Sequence, residues 1–201
     1  MHGYVLDAVF ALDGRGAFYG AGGDGDVHYI DAETGTVDAW PTHRLGITAL
    51  RLSSDGTRLF SCSYDGGVAV TDVGTGAMTR RFQSSADHGG AHGLAAWEDE
   101  SGERIAVGFF DGSVVVWRVE TATEEIAFDA HEGETVTAVE RVGAYVVTAS
   151  RDHSVRVWDG EALLHRLDGH GFWVTKLAAV PRQAQVVSVG EDGYCNLWLS
   201  L

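Results

Sequence analysis

The feature that most constrains the fold of this 201-residue chain is an acidic turn that recurs five times at nearly constant spacing. The turn aspartates Asp24, Asp65, Asp111, Asp152 and Asp192 stand 41, 46, 41 and 40 residues apart. Each introduces a short apolar run, as in Val68-Ala69-Val70, Val114-Val115-Val116-Trp117 and Val155-Arg156-Val157-Trp158. The long interval has a local cause, an acidic insertion running from Glu98 to Glu103 in the third unit. A fixed period near 40 residues marks a repeat architecture in which one small supersecondary unit is stacked several times.

Every period carries the same internal punctuation. One turn precedes the aspartate by about ten residues (Asp13-Gly14, Asp55-Gly56, Ser101-Gly102, Val142-Gly143), and another follows the apolar run (Glu33-Thr34-Gly35, Gly74-Thr75-Gly76, Asp159-Gly160). Asp-Gly pairs supply the positive φ angles of tight hairpins, so each period reads as four short antiparallel strands. The last of these is a short strand such as Met78 to Phe82 or Leu163 to Leu167. Several runs are apolar without alternation, which indicates sheets covered on both faces. Four-stranded sheets packed face to face at this period predict a propeller. Blade boundaries fall near residues 1–40, 41–83, 84–128, 129–167 and 168–201, all within one domain of residues 1–201.

These residues resemble the WD40 repeats. The Trp-Asp pair is intact at Trp158-Asp159; Trp117 and Trp198 keep the tryptophan, and Asp31 and Asp72 the aspartate. The Gly-His pair is intact at Gly169-His170. His43 and His131 match without the glycine, and either His88 or His92 fills the place in the third repeat. The resemblance implies an all-β propeller of about five four-stranded antiparallel blades. It further implies hydrogen-bonded tetrads at His131, Ser150, Asp152 and Trp158, and at His170, Asp192 and Trp198, where Gly190 stands at the hydroxyl position. Such tetrads are structural, because a largely buried aspartate must be paired. A ring in this family usually has seven blades. Five blades, with no terminal segment to close them, are expected to form an open or partial ring. The missing blades would come from a longer parent or another chain, in an oligomer or a mixed assembly.

The composition narrows the function. The net charge is −15, with 29 acidic against 14 basic residues, a field that repels nucleic-acid phosphates and anionic lipid; neither is an expected partner. Lys176 is the single lysine, as in GC-rich genomes or in salt-adapted proteins. Cys62 and Cys195 are too few and too far apart for a disulfide framework, as expected of an intracellular, cytoplasmic or nuclear, protein. The N-terminus lacks the layout of a signal peptide, and no stretch approaches the roughly 20 apolar residues of a membrane span.

No nucleophile elbow and no phosphate loop is present. The glycine-rich stretch from Gly20 to Gly25 ends a strand and opens no helix, so it reads as a turn. His88 and His92 stand four apart but fall in a glycine-rich loop, which argues against a metal site. No cofactor is expected. The acidic insertion reads either as a solvated loop or as a docking site for a basic peptide. The expected function is a non-catalytic scaffold that binds a protein or peptide partner. In the resembling family the residues before the turn aspartates face partners, here Tyr64, Phe110, Arg151 and Glu191, joined by Phe172 and Trp173. Aromatics and arginine carry much of the energy at interfaces.

Overall fold

The computed structural model describes residues 4–180 and 183–198, and they divide into two compact units, Met1–Ala91 and His92–Leu201. The first unit holds two four-stranded sheets. One runs through β1 (Val5–Phe10), β2 (Gly16–Ala21), β3 (Asp26–Asp31) and β4 (Val37–Pro41). The other runs through β5 (Ile47–Leu52), β6 (Arg58–Ser63), β7 (Val68–Asp72) and β8 (Met78–Phe82). The second unit is built from β9 (Ala91–Asp99) to β12 (Thr123–Asp129), with β10 (Gly102–Phe109) and β11 (Ser113–Arg118) between them. It continues through β13 (Val136–Val142), β14 (Tyr145–Ser150), β15 (Ser154–Asp159) and β16 (Ala162–Asp168). A three-stranded sheet of β17 (Val174–Ala179), β18 (Val186–Gly190) and β19 (Cys195–Trp198) completes the described residues. All five sheets are antiparallel meanders in chain order, as the turn spacing predicts.

The turn chemistry explains why the chain reverses where it does. Gly25, Gly66, Gly112 and Gly193 follow their turn aspartates with φ between 75° and 88°, and in the fourth turn His153 adopts φ 72° in their place. In each aspartate turn the carboxylate also accepts a backbone N–H two residues on, as Asp65 does from Gly67 at 2.8 Å and Asp152 from Ser154 at 2.8 Å. That bond supports the reversal from within the side chain.

Within each unit the sheets pack face to face. Phe18, Val27, Ile47, Leu50 and Leu59 join the first two sheets. Val114, Val116, Val136, Val139 and Trp158 join the third and fourth, and Val147, Val155, Val157, Val174 and Val186 the fourth and fifth. The sheets approach closely: a Cβ on Gly108 would stand 2.3 Å from Cγ1 of Val136. The inner strands β5, β13 and β17 each skip one residue of register, at Thr48, Thr137 and Thr175. At all three bulges the threonine hydroxyl donates to a carbonyl of the next strand, that of Cys62, Ala149 or Val189, each at 3.1 Å. Thr137 shares its one hydroxyl hydrogen with Val174 O, stitching the fourth sheet to the fifth.

The acidic insertion extends the β9–β10 hairpin. Its Asp99 accepts from Ser101 and from Arg104, and Arg104 and Arg118 both pair with Glu125. Glu103 is 2% exposed. Glu98, Asp99 and Glu100, by contrast, are exposed.

Candidate partner-binding face

The histidines that recur in the repeat sit at the rim of three sheets and close the turn that carries the face. In the fourth sheet His131 is fully buried, with Nδ1 2.9 Å from the Asp152 carboxylate and Nε2 2.7 Å from Oγ1 of Thr148. The Trp158 indole N–H donates to the same Thr148 oxygen at 2.9 Å. The Asp152 carboxylate can only accept, so Nδ1 carries the proton and donates to it. In the neutral ring Nε2 then accepts from the Thr148 hydroxyl.

The fifth sheet repeats the arrangement with His170, Asp192, Ser188 and Trp198 at 2.8 to 2.9 Å. The second holds His43 against Ser61 at 2.8 Å and Asp65 at 3.3 Å. At its tryptophan position stands Thr71, whose buried hydroxyl has no hydrogen-bond partner.

The sequence placed the tetrad hydroxyl at Ser150, and the structure corrects this to Thr148. Both residues point to one side of β14, since side chains alternate along a strand. Ser150, nearer the turn, instead accepts from Asp152 N and donates to Glu134 O. Ser63 does the same in the second sheet, toward Leu45 O. Gly190 thus occupies this turn-closing position, and the hydroxyl thought missing from the fifth sheet is Ser188. In the third sheet Val107 stands where the hydroxyl belongs; His88 Nε2 lies 3.1 Å from Ser84 Oγ, and His92 Nδ1 donates to Thr137 O at 3.1 Å.

Burial dominates the electrostatics. It lowers the His43 pKa to about 4 and pulls His131 below the usual histidine value against the pull of Asp152. For Asp65 burial works the other way. It is more than offset by N–H donors from Arg44 and Gly67 and by Arg81, and the carboxyl stays well below the ordinary range. Asp152 is held down by His131 and Ser154 in the same manner. At neutral pH His43 is therefore neutral, and Asp65 and Asp152 are charged.

The turns so fixed bring one set of predicted residues together in the second unit. Phe110 O accepts from Thr135 Oγ1 at 3.2 Å, and Thr135 O accepts from Arg151 N at 3.1 Å. The Arg151 guanidinium lies 4.5 Å over the Trp173 ring, and Trp173 O accepts from Glu191 N at 2.9 Å. Phe172 stacks on Trp173 with ring centroids 5.1 Å apart, and on the His153 ring at 5.8 Å. Phe110 and Phe172 are 38% and 44% exposed, Glu191 is exposed, and Arg151 and Trp173 are half-buried. Lys176 and Arg151 both act electrostatically on His92, which lies 6.1 Å from Phe110 between ring centroids. Aromatic rings, the Arg151 guanidinium and the exposed Glu191 carboxylate thus lie side by side here. Tyr64 holds the corresponding place in the second sheet of the first unit, half-buried and donating its N–H to Gly46 O. Sequence reasoning did not place His153, His92 or Lys176 beside this face. His153 carried a signal, as the one non-glycine after a turn aspartate.

Among the described residues no three His, Cys, Asp or Glu side chains converge as metal ligands, and no helix is long and apolar enough to cross a membrane.

Residues 35–72, 123–159 and 161–198, over half of the chain, match the family profile described as "WD domain, G-beta repeat". Similar curated proteins include nuclear distribution protein nudF of Emericella nidulans, 24% identical over 78% of this chain and 40% of its own length. The U3 snoRNP-associated protein-like EMB2271 of Arabidopsis thaliana is 27% identical over 78% of this chain and 36% of its own. Human cilia- and flagella-associated protein 52 is 22% identical over 94% of this chain and 38% of its own. The chain thus spans 40% or less of the length of these relatives.

Proposed function

The chain belongs to the WD40 repeat family, and from that premise we propose that it is a non-catalytic scaffold holding a protein partner on the face formed by Phe110, Arg151, Phe172, Trp173 and Glu191. The observation that supports this reading is the Arg151 guanidinium over the Trp173 ring, flanked by exposed Phe172. A guanidinium fixed on an aromatic face loses little further freedom when it pairs with an incoming carboxylate, and neighbouring aromatics supply apolar area. The fitting partner is a peptide segment that carries a carboxylate for Arg151 beside an apolar side chain. The histidines and aspartates of the repeat support the face from beneath and take no part in chemistry.

The test is selection of a peptide display library on the full chain, followed by titration of the enriched peptide. Arg151→Ala and Phe172→Ala should each weaken binding at least tenfold, with Leu163→Ala, on the exposed outer strand β16, leaving it unchanged. Equal loss in all three variants, or in none, contradicts the proposal.

A second reading, completion of the propeller by sheets from a longer parent or another chain, rests on exposed apolar side chains. Val5 and Phe10 on β1 are 56% and 81% exposed, and Val189 and Leu197 on the fifth sheet 37% and 54%. Light scattering with a thermal melt tests it. A cooperative monomer of 21.5 kDa speaks against it, and a discrete oligomer for it.

A further inference from the structure

The cleft between the two sheets of the first unit is a cavity of about 430 Å3 whose lining includes Phe18, Tyr29, Trp40, Asp13, Asp38 and Asp55. The three rings form one cluster along the wall, with Phe18 buried and Tyr29 and Trp40 half-buried. Their centroids lie 5.0 Å (Phe18–Tyr29), 5.5 Å (Phe18–Trp40) and 6.2 Å (Tyr29–Trp40) apart. The indole is held in place by Gly76, where a Cβ would stand 2.6 Å from it. Asp55 is fixed as a carboxylate by donors from Ser53 and Thr57, which bring its pKa to about 2. The Tyr29 hydroxyl is pushed up by burial and then by the field of Asp13 and Asp31.

The second unit contains the equivalent cleft, between its first two sheets. Strand register makes the correspondence: Trp40 pairs with Val27 as Phe128 pairs with Val114, and Asp38 with Tyr29 as Ile126 with Val116. Val73 and Gly160 fall at the same distance from their turn aspartates, and both line their clefts. In the second unit the cleft is about 150 Å3 and is lined by two cations of the chain's own, Arg141 and Arg104. The Arg141 guanidinium lies 4.9 Å over the Trp97 ring, and Arg104 pairs with the Asp99 and Glu125 carboxylates that also line the cleft.

Arg141 pairs with Val146, and the matching pair in the first unit is Leu52 with Leu59. There the position that supplies the guanidinium is occupied by an aliphatic residue, while a different set of rings, on β2, β3 and β4, stands beside the carboxylates of Asp13, Asp38 and Asp55. Arg15, 81% exposed, comes only to 4.0 Å of Asp13.

We infer that this cleft receives the guanidinium of an arginine side chain from a partner peptide, in the role that Arg141 fills internally in the second unit. An aromatic wall attracts a cation through its ring quadrupoles, and carboxylates at its edge accept the fork of guanidinium N–H donors. The site is separate from the face proposed above and has the opposite charge preference.

The test is nuclear magnetic resonance titration of the full chain with the blocked tripeptide Gly-Arg-Gly, following the amides of Gly56 and Gly74 in the cavity lining. The controls are Gly-citrulline-Gly, a neutral isostere, and Gly-Lys-Gly. Arginine should bind at least tenfold more tightly than citrulline, and more tightly than lysine. Asp38→Asn, at an exposed position, should weaken binding several-fold, and Leu52→Arg, which supplies an internal cation, should abolish it. Arg151→Ala should leave it unchanged, so the two sites fail or succeed separately. Equal binding of citrulline and arginine overturns the proposal, as does undiminished binding by a folded Leu52→Arg variant. Tighter binding of lysine replaces the guanidinium specificity with a general ammonium site and overturns the arginine assignment.

Discussion

The Trp158 indole N–H donates to Oγ1 of Thr148 at 2.9 Å, and the same oxygen lies 2.7 Å from Nε2 of His131. One buried hydroxyl thus serves two rings. Thr148→Val should leave both ring nitrogens without a partner and cost about 2–3 kcal/mol in urea unfolding, in line with unpaired buried polar groups. Thr148→Ser keeps the hydroxyl and should cost well under half as much.

The second sheet offers the reverse experiment. Thr71 is fully buried and its hydroxyl is unpaired, so the isosteric Thr71→Val removes a desolvated polar group without opening a cavity. A gain of about 1 kcal/mol is expected, read as a rise in Tm.

Stability should fall with acid over two pH windows. The His43 pKa is about 4 in the folded chain against 6.5 when exposed, so the unfolded chain takes up its proton first as pH falls. Its stabilisation is complete above pH 6.5 and is lost progressively down to about 4. Asp65 and Asp152, held below the ordinary carboxylate range, contribute above about pH 4 and lose that contribution only below it. Thermal melts between pH 8 and 3 should therefore show a plateau, a decline beginning near 6.5, and a further decline below 4.

Turn glycines should differ sharply in tolerance. Gly25 has φ 78° and a Cβ there would stand 2.5 Å from His43 O, whereas Gly14, at φ 73°, has open space around it. Gly14→Ala should cost about 1 kcal/mol, the left-handed penalty alone. Gly25→Ala adds a backbone clash and should cost more than twice as much in the same unfolding assay.

Features local to the chain were legible in the sequence. The predicted strand from Met78 to Phe82 coincides with β8, and Leu163 to Leu167 lies within β16. The turn glycines carry the positive φ angles their positions imply. What escaped depends on relations across strands. Thr148 and Ser150 share a face of β14, and spacing alone does not say which reaches the histidine. The bulges at Thr48, Thr137 and Thr175 are register shifts, though the recurring Thr after Ile47, Val136 and Val174 is their trace in the sequence. The arginine cleft draws its aromatic wall from one repeat and Asp55 from the next, so neither repeat shows it alone.

Carbene footprinting of the full chain, with and without a peptide selected on it, tests most directly whether partners dock on the aromatic and cationic face of the second unit. The expected result is protection of Phe110, Phe172 and Trp173, with labelling of Met78 and Leu163 unchanged. Protection confined to the outer strands, with Phe172 and Trp173 labelled as in the free protein, would contradict the scaffold face proposed here.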